Sequence, residues 1–301
     1  MKEPFSRWFM RIGIVSRNPR SWSAQQLDKA FRDLGSEPIF FRFRDFVALI
    51  GFGPKVIARD YDVLEDLNAL LIRPIGKGSL EEIIFRMDML HKLAREGFPV
   101  INHPSTIEKC VDKYYALILL EENGLPVPKT VVTENVNRAL RLMEKLGSEV
   151  VLKPLFGSRG HGITKLIDVD ASRTIFMGLR LVKSVIYLQE FIPHGTRDIR
   201  VFVIGDRIVS AMYRESNSWK TNVAQGARPK PLKPTKEIEE LSMKAVKVLG
   251  CEIAGIDIME GPGGFVISEV NSQPGWKGIQ MVTKVDIAKE IAKYVLQRAK
   301  R

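Results

Sequence analysis

Two carboxylates and an amide come together in the segment "AGIDIMEGPGGFVISEVN" near the carboxyl end of the chain. Its second half predicts a half-buried strand, in which alternation puts Glu269 and Asn271 on the face of Ile267. Gly-Pro-Gly-Gly predicts a hairpin, and a loop over 261–265 would set Asp257 directly opposite Glu269. Neighbouring carboxylates repel unless a cation lies between them. Mg²⁺, held by carboxylates and substrate phosphates, fits this requirement.

Two alternatives to a metal site stay open for this segment. The strand can simply run out into solvent at Glu269 and Asn271. A loop shorter by one residue would pair Asp257 with Ser268 and separate the carboxylates. The four histidines are scattered along the chain and form no competing metal cluster.

The segment "KPLFGSRGHGI" has the composition of a phosphate-binding loop after an apolar strand. Gly157 and Gly160 let the backbone turn its amides toward an anion, and Ser158 adds a donor. Lys153, at the end of the strand, can neutralise a phosphate. The segment has neither the Gly-Lys-Ser/Thr of a Walker A loop nor the setting of a dinucleotide fingerprint. A mobile surface turn is the alternative.

A third segment, "QEFIPHGTRDIRVFVIGD", combines a strand end with alternating charges. The strand end consists of Gln189, Glu190, Phe191 and Ile192. Backbone donors and acceptors beside an apolar wall suit the edge of an adenine. Asp198 and Arg200 then share one strand face; as a mere surface pair they would contribute about 0–1 kcal/mol.

Glycines that end helix-length segments and lead into apolar runs predict an α/β protein. In the first hundred residues we predict strands near 11–16, 38–43, 69–73 and 99–102, as in a small doubly wound domain. The helices predicted there cover 23–34 and 79–96. Ser105 and Glu108 have the spacing of a capping box at the start of a further helix. Farther on, "GDRIV" predicts a hairpin turn.

The bulk composition is that of an ordinary globular protein, with 45% hydrophobic and 27% charged residues among 301. The sequence contains no apolar run long enough for a membrane span and no secretory signal. Two distant cysteines suit a reducing, cytoplasmic location. The formal charge of +11 favours anionic partners, and a lysine-rich solvated surface is the alternative. Nucleic acid is the least favoured of these partners because no recognition motif supports it.

With these segments in order, the sequence resembles the ATP-grasp superfamily and, within it, the RimK-type glutamate ligases. The motifs that carry the resemblance are "VDKYYALILLEENGLPVPKT", "VLKPLFGSRGHGI", "QEFI", "DIRVFVIGDRIVSAMYR", "WKTNVAQGA", "AGIDIM" and "EVNSQPG". It implies a three-lobed α/β fold. A doubly wound pre-ATP-grasp domain would cover 1–103, a central ATP-grasp lobe 104–187, and a C-terminal ATP-grasp lobe with the metal site 188–301.

The resemblance also implies roles for individual residues. Lys113 and Lys153 match the lysines that hold the nucleotide phosphates, and Asp198 matches a ribose contact. Glu190 to Ile192 match the hinge at the adenine. The strand end that faces nucleotide and substrate is matched by Lys220, Thr221 and Asn222. The metal ligands are matched by Asp257, Glu269 and Asn271.

Two arginines, Arg200 and Arg214, are candidates to stabilise the charge that develops in the reaction. Arg159 and His161 make the glycine loop more basic than in many relatives, which leaves open whether the loop also touches an anionic acceptor.

The activity implied is ATP-dependent addition of L-glutamate to an acidic acceptor through an acyl phosphate, with two Mg²⁺ or Mn²⁺ ions. Charge does not select among the acceptors that the family uses. The segment from "LIRPIGKG" to "VDKYY" is most similar to archaeal members that glutamylate a small cofactor such as tetrahydromethanopterin. An acidic protein tail and a non-catalytic ATP-binding module are the alternatives. Family members are often homo-oligomers.

Overall fold

The computed structural model describes residues 10–157, 160–223 and 226–299. The N-terminal part contains the strands β1 (Arg11–Val15), β2 (Glu37–Phe41), β3 (Phe46–Ala48), β4 (Val56–Ala58), β5 (Tyr61–Asp62), β6 (Ala69–Ile72) and β7 (Val100–Ile101). Its helices are α1 (Trp22–Asp33), α2 (Val63–Asp66) and α3 (Leu80–Arg95). The larger sheet is parallel in the order β2-β1-β6-β7, which confirms the predicted strands and helices of this region. A small antiparallel sheet, β3-β4-β5, lies beside it.

The middle of the chain forms four helices and a four-stranded antiparallel sheet. The helices are α4 (Pro104–Val111), α5 (Lys113–Glu122), α6 (Val136–Leu146) and α7 (Val169–Leu181), of which the first two precede the sheet. The strands are β8 (Thr130–Thr133), β9 (Val150–Lys153), β10 (Thr164–Leu166) and β11 (Ile186–Glu190), in the order β10-β9-β11-β8.

The last third of the chain forms a five-stranded antiparallel sheet in the order β14-β13-β12-β15-β16. Its strands are β12 (Arg197–Ile204), β13 (Arg207–Glu215), β14 (Arg228–Leu232), β15 (Ile253–Gly261) and β16 (Gly264–Asn271). The helices are α8 (Lys236–Leu249), α9 (Lys277–Gln280) and α10 (Ile287–Arg298). The predicted hairpin at "GDRIV" is confirmed, because the two-residue turn at Gly205 and Asp206 joins β12 to β13.

The apolar cores join segments that are distant in sequence. Helix α10 returns to pack against α1 and β6, and its Ile291 and Val295 share a core with Ile12 and Ile14 of β1. Helices α4 and α5 pack against α8, so that segment 104–122 shares the core of the C-terminal sheet. Strand β11 continues to Glu190 and therefore crosses the predicted lobe boundary at 187/188.

Helix starts follow the polar residues that precede them, with one difference from prediction. Ser79 and Glu82 form a reciprocal capping box at α3. Helix α4 has no such box, because His103 accepts from the backbone N–H of Ser105 and Glu108 pairs with His91 at 3.0 Å instead. Within the described residues no helix combines the length and apolar character needed to cross a membrane.

Candidate functional site

A cleft between the central and the C-terminal antiparallel sheets collects most of the predicted site residues. Its empty space is about 700 Å³, a volume that includes the open solvent at its mouth. The predicted residues that line it are Lys113, Lys153, Gln189, Glu190, Phe191, Ile192, Asp198, Arg214, Lys220, Thr221, Asn222, Asp257 and Glu269. Gly157, Gly160, Arg200 and Asn271 do not line the cleft itself. Ser158, like Arg159, lies outside the described residues.

The cleft also takes side chains that sequence reasoning missed: Val151, Ile163, His194, Trp219, Met259 and Ser268. Two of them had a usable signal. Trp219 directly precedes Lys220 in the motif "WKTN", and Met259 shares the strand face of Asp257 through simple alternation.

Asp257 lies directly opposite Glu269, as predicted, but the hairpin reaches this register by a different route. Its turn is shorter than predicted, since Gly261 pairs with Gly264 and Glu260 pairs with Phe265. A β-bulge at Ser268 then restores the pairing of Asp257 with Glu269. The Ser268 hydroxyl donates to the carbonyl oxygen of Asp257 at 3.2 Å.

The same bulge corrects the predicted strand faces of β16. Ile267 and Val270 belong to one buried core although they are three residues apart, a spacing that puts residues of a regular strand on opposite faces. Glu269 therefore points into the cleft, on the face opposite to Ile267 rather than on the same face. The polar end of β16 therefore does not continue the face of Ile267, because the bulge moves Glu269 to the opposite face.

A second bulge aligns the residues of the β12–β13 hairpin. The register shifts by one between Phe202 and Val203, and beyond it Asp198 lies opposite Arg214. On the other side of β12, Arg200 lies opposite Asp257. The registers thus set Arg200, Asp257 and Glu269 side by side on three neighbouring strands. The pair of Asp198 and Arg214 lies two residues away along β12.

These groups form a buried network of carboxylates and guanidinium groups. Asp198 accepts from Arg214 Nε at 2.7 Å and Nη2 at 2.5 Å, and from the Thr221 hydroxyl at 2.6 Å. Asp257 accepts from Arg200 Nε and, at 2.8 Å, from Arg200 Nη2, while Arg214 Nη2 lies 3.2 Å from its Oδ1. Every charge in this network therefore has an opposite charge beside it, which buried ions require.

The network fixes the ionisation of its members. Burial pushes the pKa of Asp257 upward, but Arg200 and Arg214 together outweigh it and hold the pKa below the ordinary value. Burial likewise lowers the pKa of Arg214, and the carboxylates of Asp257 and Asp198 raise it further than burial lowers it. Asp257 is therefore a carboxylate and Arg214 a cation at neutral pH.

Oxygen donors suited to a hard divalent cation lie where Asp257 and Glu269 line the cleft and at Asn271, on the same strand as Glu269. Asp257 and Glu269 offer two opposed carboxylates, and Asn271 donates weakly through its Nδ2 to the Gly255 carbonyl at 3.5 Å, which leaves its oxygen acceptor. The described residues include no group of three or more His, Cys, Asp and Glu side chains placed to hold a metal. A set of two carboxylates and an amide fits Mg²⁺, which takes its remaining ligands from phosphates and water.

The end of the cleft that the resemblance assigns to the nucleotide phosphates contains two lysines, Lys113 and Lys153. Burial lowers the pKa of Lys153 to about 8, and its Nζ donates to Gln189 Oε1 at 2.5 Å. Lys113 Nζ donates to the carbonyl oxygens of Leu155 and Gly157 at 3.3 and 2.9 Å and lies 3.8 Å from Glu269 Oε1. Lys113 therefore ties the start of the glycine loop to the carboxylate end of the site.

Glycine is required at the loop positions that the structure describes. A Cβ on Gly157 would lie 2.8 Å from Pro154 Cγ, closer than side chains approach. Gly160 has a φ of 73°, in the left-handed region that favours glycine.

The wall of the cleft that the resemblance assigns to the adenine is aromatic, and some of its backbone donors are already hydrogen-bonded within the protein. Phe191 and Trp219 contact edge-to-face at 5.8 Å, and Lys165 Nζ lies 3.4 Å from the Phe191 ring centroid. The backbone N–H groups of Glu190 and Phe191 already donate to the carbonyls of Lys129 and Glu149. The strand end had predicted backbone donors available to an adenine edge. These two N–H groups are instead hydrogen-bonded within the protein.

Comparison with known proteins places this geometry in context. The RimK-like ATP-grasp domain family matches residues 110–295. A tetrahydromethanopterin:alpha-L-glutamate ligase of Methanococcus maripaludis is 36% identical over 299 residues, which covers 97% of this chain and 99% of the relative. An alpha-aminoadipate–LysW ligase, LysX, of Sulfurisphaera tokodaii is 31% identical over 299 residues, with coverage of 97% and 100%.

The fold has solved counterparts as well. The ATP-grasp ligase PsnB in complex with a minimal precursor, Mg and ADP superposes with a TM-score of 0.73 at 20% identity, covering 96% of this chain and 97% of PsnB. At this identity the likeness concerns the fold alone.

Proposed function

Since the chain belongs to the RimK-like ATP-grasp family and is an ATP-dependent ligase that forms an amide bond, we propose that it adds L-glutamate to a carboxylate of tetrahydromethanopterin or a similar acidic cofactor. The observation that carries the proposal is the identity of 36% to a tetrahydromethanopterin:alpha-L-glutamate ligase along 97% of the chain. The relative and this chain thus share the N-terminal part as well as the ATP-grasp part, and both are available for acceptor recognition.

In this proposal ATP lies along the cleft with its adenine at the aromatic wall and its phosphates at the two lysines. Phe191 and Trp219 contact the base, and Lys153 and Lys113 neutralise the phosphates. Asp198 is hydrogen-bonded to Arg214 and Thr221. In this proposal it also accepts a hydrogen bond from a ribose hydroxyl. Binding by preformed, internally bonded groups keeps the ordering cost low.

The reaction has two steps, each with a separate demand on the protein. An oxygen of the acceptor carboxylate attacks the γ-phosphorus, the bond to the β-phosphate oxygen breaks, and ADP leaves. The amine of glutamate then attacks the carbonyl carbon of the acyl phosphate, loses a proton, and phosphate leaves as the amide forms. Phosphoryl transfer is accelerated mainly by positioning and charge stabilisation, which the lysines and Arg200 supply.

Asp257, Glu269 and Asn271 are the residues that would hold the divalent cation. The chemistry that the cation would supply when bound there is neutralisation of negative charge on the nucleotide phosphates. Asp257 reaches this role already ionised because Arg200 and Arg214 lie against it. In this proposal the glycine loop that follows Lys153 excludes water from the acyl phosphate.

The likeness to LysX, an alpha-aminoadipate–LysW ligase, supports a second candidate, in which L-glutamate is added to an acidic protein tail. The two candidates share the ATP chemistry and differ in the acid that is activated. A direct test supplies Mg-ATP and L-glutamate with either tetrahydromethanopterin or a carrier protein that ends in an acidic residue. ADP release is measured, and the acceptor mass is determined.

Glutamate-dependent ADP release together with a mass gain of one glutamate on tetrahydromethanopterin is the expected result. A mass gain only on the carrier protein would move the assignment to the second candidate. ADP release without a mass gain on either acceptor would reject both candidates and leave the ligase chemistry with another acid.

A further inference from the structure

Arg73 is a buried cation outside the cleft. It directly follows strand β6, is 7% exposed, and donates from Nη2 to the Pro274 carbonyl oxygen at 2.8 Å. Its guanidinium carbon lies 4.6 Å from the centroid of the Trp276 ring. Burial lowers its pKa to about 10, and among the described residues no carboxylate pairs with it. A buried charge without a counter-charge is costly, and natural proteins retain such groups for a reason.

The loop that Arg73 contacts adds further donors without acceptors. Gln273 Nε2 and Trp276 Nε1 are both buried and have no hydrogen-bond partner within the described part of the chain. Gln273 Oε1 is already occupied, because it accepts from the backbone N–H of Ile75 at 3.3 Å. The neighbourhood of Arg73 therefore contains two donors without partners, while the oxygens of Pro274 and Gln273 named above are engaged, as expected for the binding site of an anion.

The loop after Arg73 is held in place by a second arginine. Arg86 donates to the carbonyls of Ile75 and Lys77 at 3.3 and 3.2 Å, which fixes this loop. Gly76 has a φ of 85°, and a Cβ there would lie 2.8 Å from the Cδ of Arg17. Lys77 in this loop and Lys277 at the start of α9 are both exposed. Donors on a fixed loop are preorganised for a ligand.

The position of the cluster connects it with the reaction. It lies at the carboxyl ends of the parallel strands β1 and β6, the edge at which open α/β sheets bind ligands. Gln273 follows Asn271, one of the residues expected to hold the metal, by two positions. The donor cluster and the candidate metal ligand Asn271 therefore belong to one short stretch of the chain.

We propose that Arg73, Gln273 Nε2 and Trp276 Nε1 form a subsite for a carboxylate that does not react, belonging to one of the two acids that the enzyme joins. The proposal rests on the proposed function in taking both substrates as acids. The guanidinium provides the charge and the fork that match a carboxylate, and the amide and indole donors complete the oxygen shell. The subsite makes the enzyme select for an acid with a second carboxylate.

The competing interpretation is that Arg73 only braces the loop through Pro274 and Trp276. Arg73→Met separates the two because it keeps an apolar stem over the Trp276 ring and removes the charge. If Arg73 is a receptor, removing its unpaired charge leaves the melting temperature of the ligand-free protein unchanged or higher. If it is a brace, the melting temperature falls.

The binding measurement uses the full chain with Mg-ADP, titrated calorimetrically with L-glutamate and separately with N-acetyl-L-glutamate. The blocked amine of the second probe prevents it from taking the place of the attacking amino acid, so it stands for the acid end of an acceptor. We expect wild type to bind one of the probes and Arg73→Met to lose at least about tenfold in affinity for it. The probe affected tells which substrate the subsite serves.

The matched control is Arg32→Met, which removes the same charge from an exposed arginine paired with Asp28 at 3.1 Å. It should leave both affinities at the wild-type value. Equal probe affinities in wild type and Arg73→Met, or no binding of either probe by wild type, would overturn the proposal. The proposed function fails separately, through absence of turnover with tetrahydromethanopterin, whatever the titrations give.

Discussion

Arg200 lies directly opposite Asp257 on the neighbouring strands β12 and β15, and its guanidinium contacts both oxygens of that carboxylate. Asp257 is also the carboxylate that we propose as a metal ligand. The protein cation and the metal therefore compete for the same two oxygens in the nucleotide-free enzyme. Once phosphates are bound, Arg200 has an alternative anion within the cleft, and this competition is relieved.

Arg200→Met should consequently have opposite effects on metal binding and on catalysis. We expect Mn²⁺ to bind the nucleotide-free variant about tenfold more tightly, because Asp257 loses a competing partner while Arg214 keeps it ionised. We expect the rate of ADP formation to fall by about 100-fold, since a cation that stabilises developing charge is removed. Electron paramagnetic resonance of free Mn²⁺ and an ADP assay measure the two effects.

The control for this substitution is Arg197→Met on the same strand, where the arginine is exposed and pairs with Glu260 at 3.2 Å. It should change neither quantity. Weaker Mn²⁺ binding in Arg200→Met would show that the guanidinium supports the metal site rather than competing with it.

Glu269→Ala should abolish ATP turnover in a folded protein. The substitution removes one of the two opposed carboxylates and frees Lys113, but leaves the buried network of Asp198, Arg214 and Asp257 intact. We expect a loss of at least about 100-fold in ADP release, because the cation contributes several kcal/mol of charge stabilisation. Circular dichroism checks the fold, and Glu260→Ala in the same hairpin is the control. Wild-type turnover in Glu269→Ala would remove this residue from the metal site.

Deletion of Ser268 tests whether this residue is the extra residue of the hairpin. With the turn at Gly261 and Gly264 unchanged, Ile267 would stay opposite Ile258, and Glu269, now the next residue, would stay opposite Asp257 without a bulge. We therefore expect the deletion variant to fold and to bind nucleotide. Ser268→Ala keeps the residue count and loses one hydrogen bond of about 1 kcal/mol, so it should fold and bind nucleotide as well. Soluble yield, thermal melts and nucleotide binding are compared for the two variants, and an unfolded deletion variant beside a folded Ser268→Ala would contradict the assignment.

The elements that could be predicted are those whose signals are local. Strand β1 and helix α1 agree with the predicted 11–16 and 23–34 to within a residue at nearly every end, because apolar periodicity and glycine stops act over a few residues. The ATP-grasp fold followed from motif order, and the likeness to PsnB confirms it.

The rest depends on contacts between distant segments. Neither bulge is visible in the sequence, because the residue that leaves the ladder is decided by which side chains the two sheet faces can bury together. The packing of α4 and α5 on α8 likewise depends on a core formed from both ends of the chain. The burial of Arg73 could not be predicted from the segment "LIRPIG", because a loop about 200 residues farther along the chain, at Pro274, covers it.

Deprotonation of Lys153 should weaken the binding of ATP at alkaline pH. Its pKa is lowered by burial to about 8, so the free enzyme loses this phosphate-binding charge as the pH rises through that value. We expect kcat/KM for ATP, which reports on the free enzyme, to fall across this range. Lys153→Met should have low activity, and its kcat/KM for ATP should not fall across this pH range. A pH profile of wild type that stays flat up to pH 10 would contradict the assignment of Lys153 to the phosphates.

The lowered pKa of Lys153 also predicts how the stability of the fold changes with pH. Between a folded pKa of about 8 and an unfolded value of 10.5, the unfolded chain holds the proton that the folded chain has released, so stability rises with pH in this window. At about 1.4 kcal/mol per pKa unit, the protonated lysine costs the fold up to roughly 3 kcal/mol at neutral pH. Lys153→Met should therefore unfold at higher denaturant concentration than wild type at pH 7, and the difference should shrink above pH 10. Lys236→Met, at a lysine whose side chain is 89% exposed, is the control and should give no such gain. A less stable Lys153→Met would mean that its bond to Gln189 outweighs the cost of the buried charge.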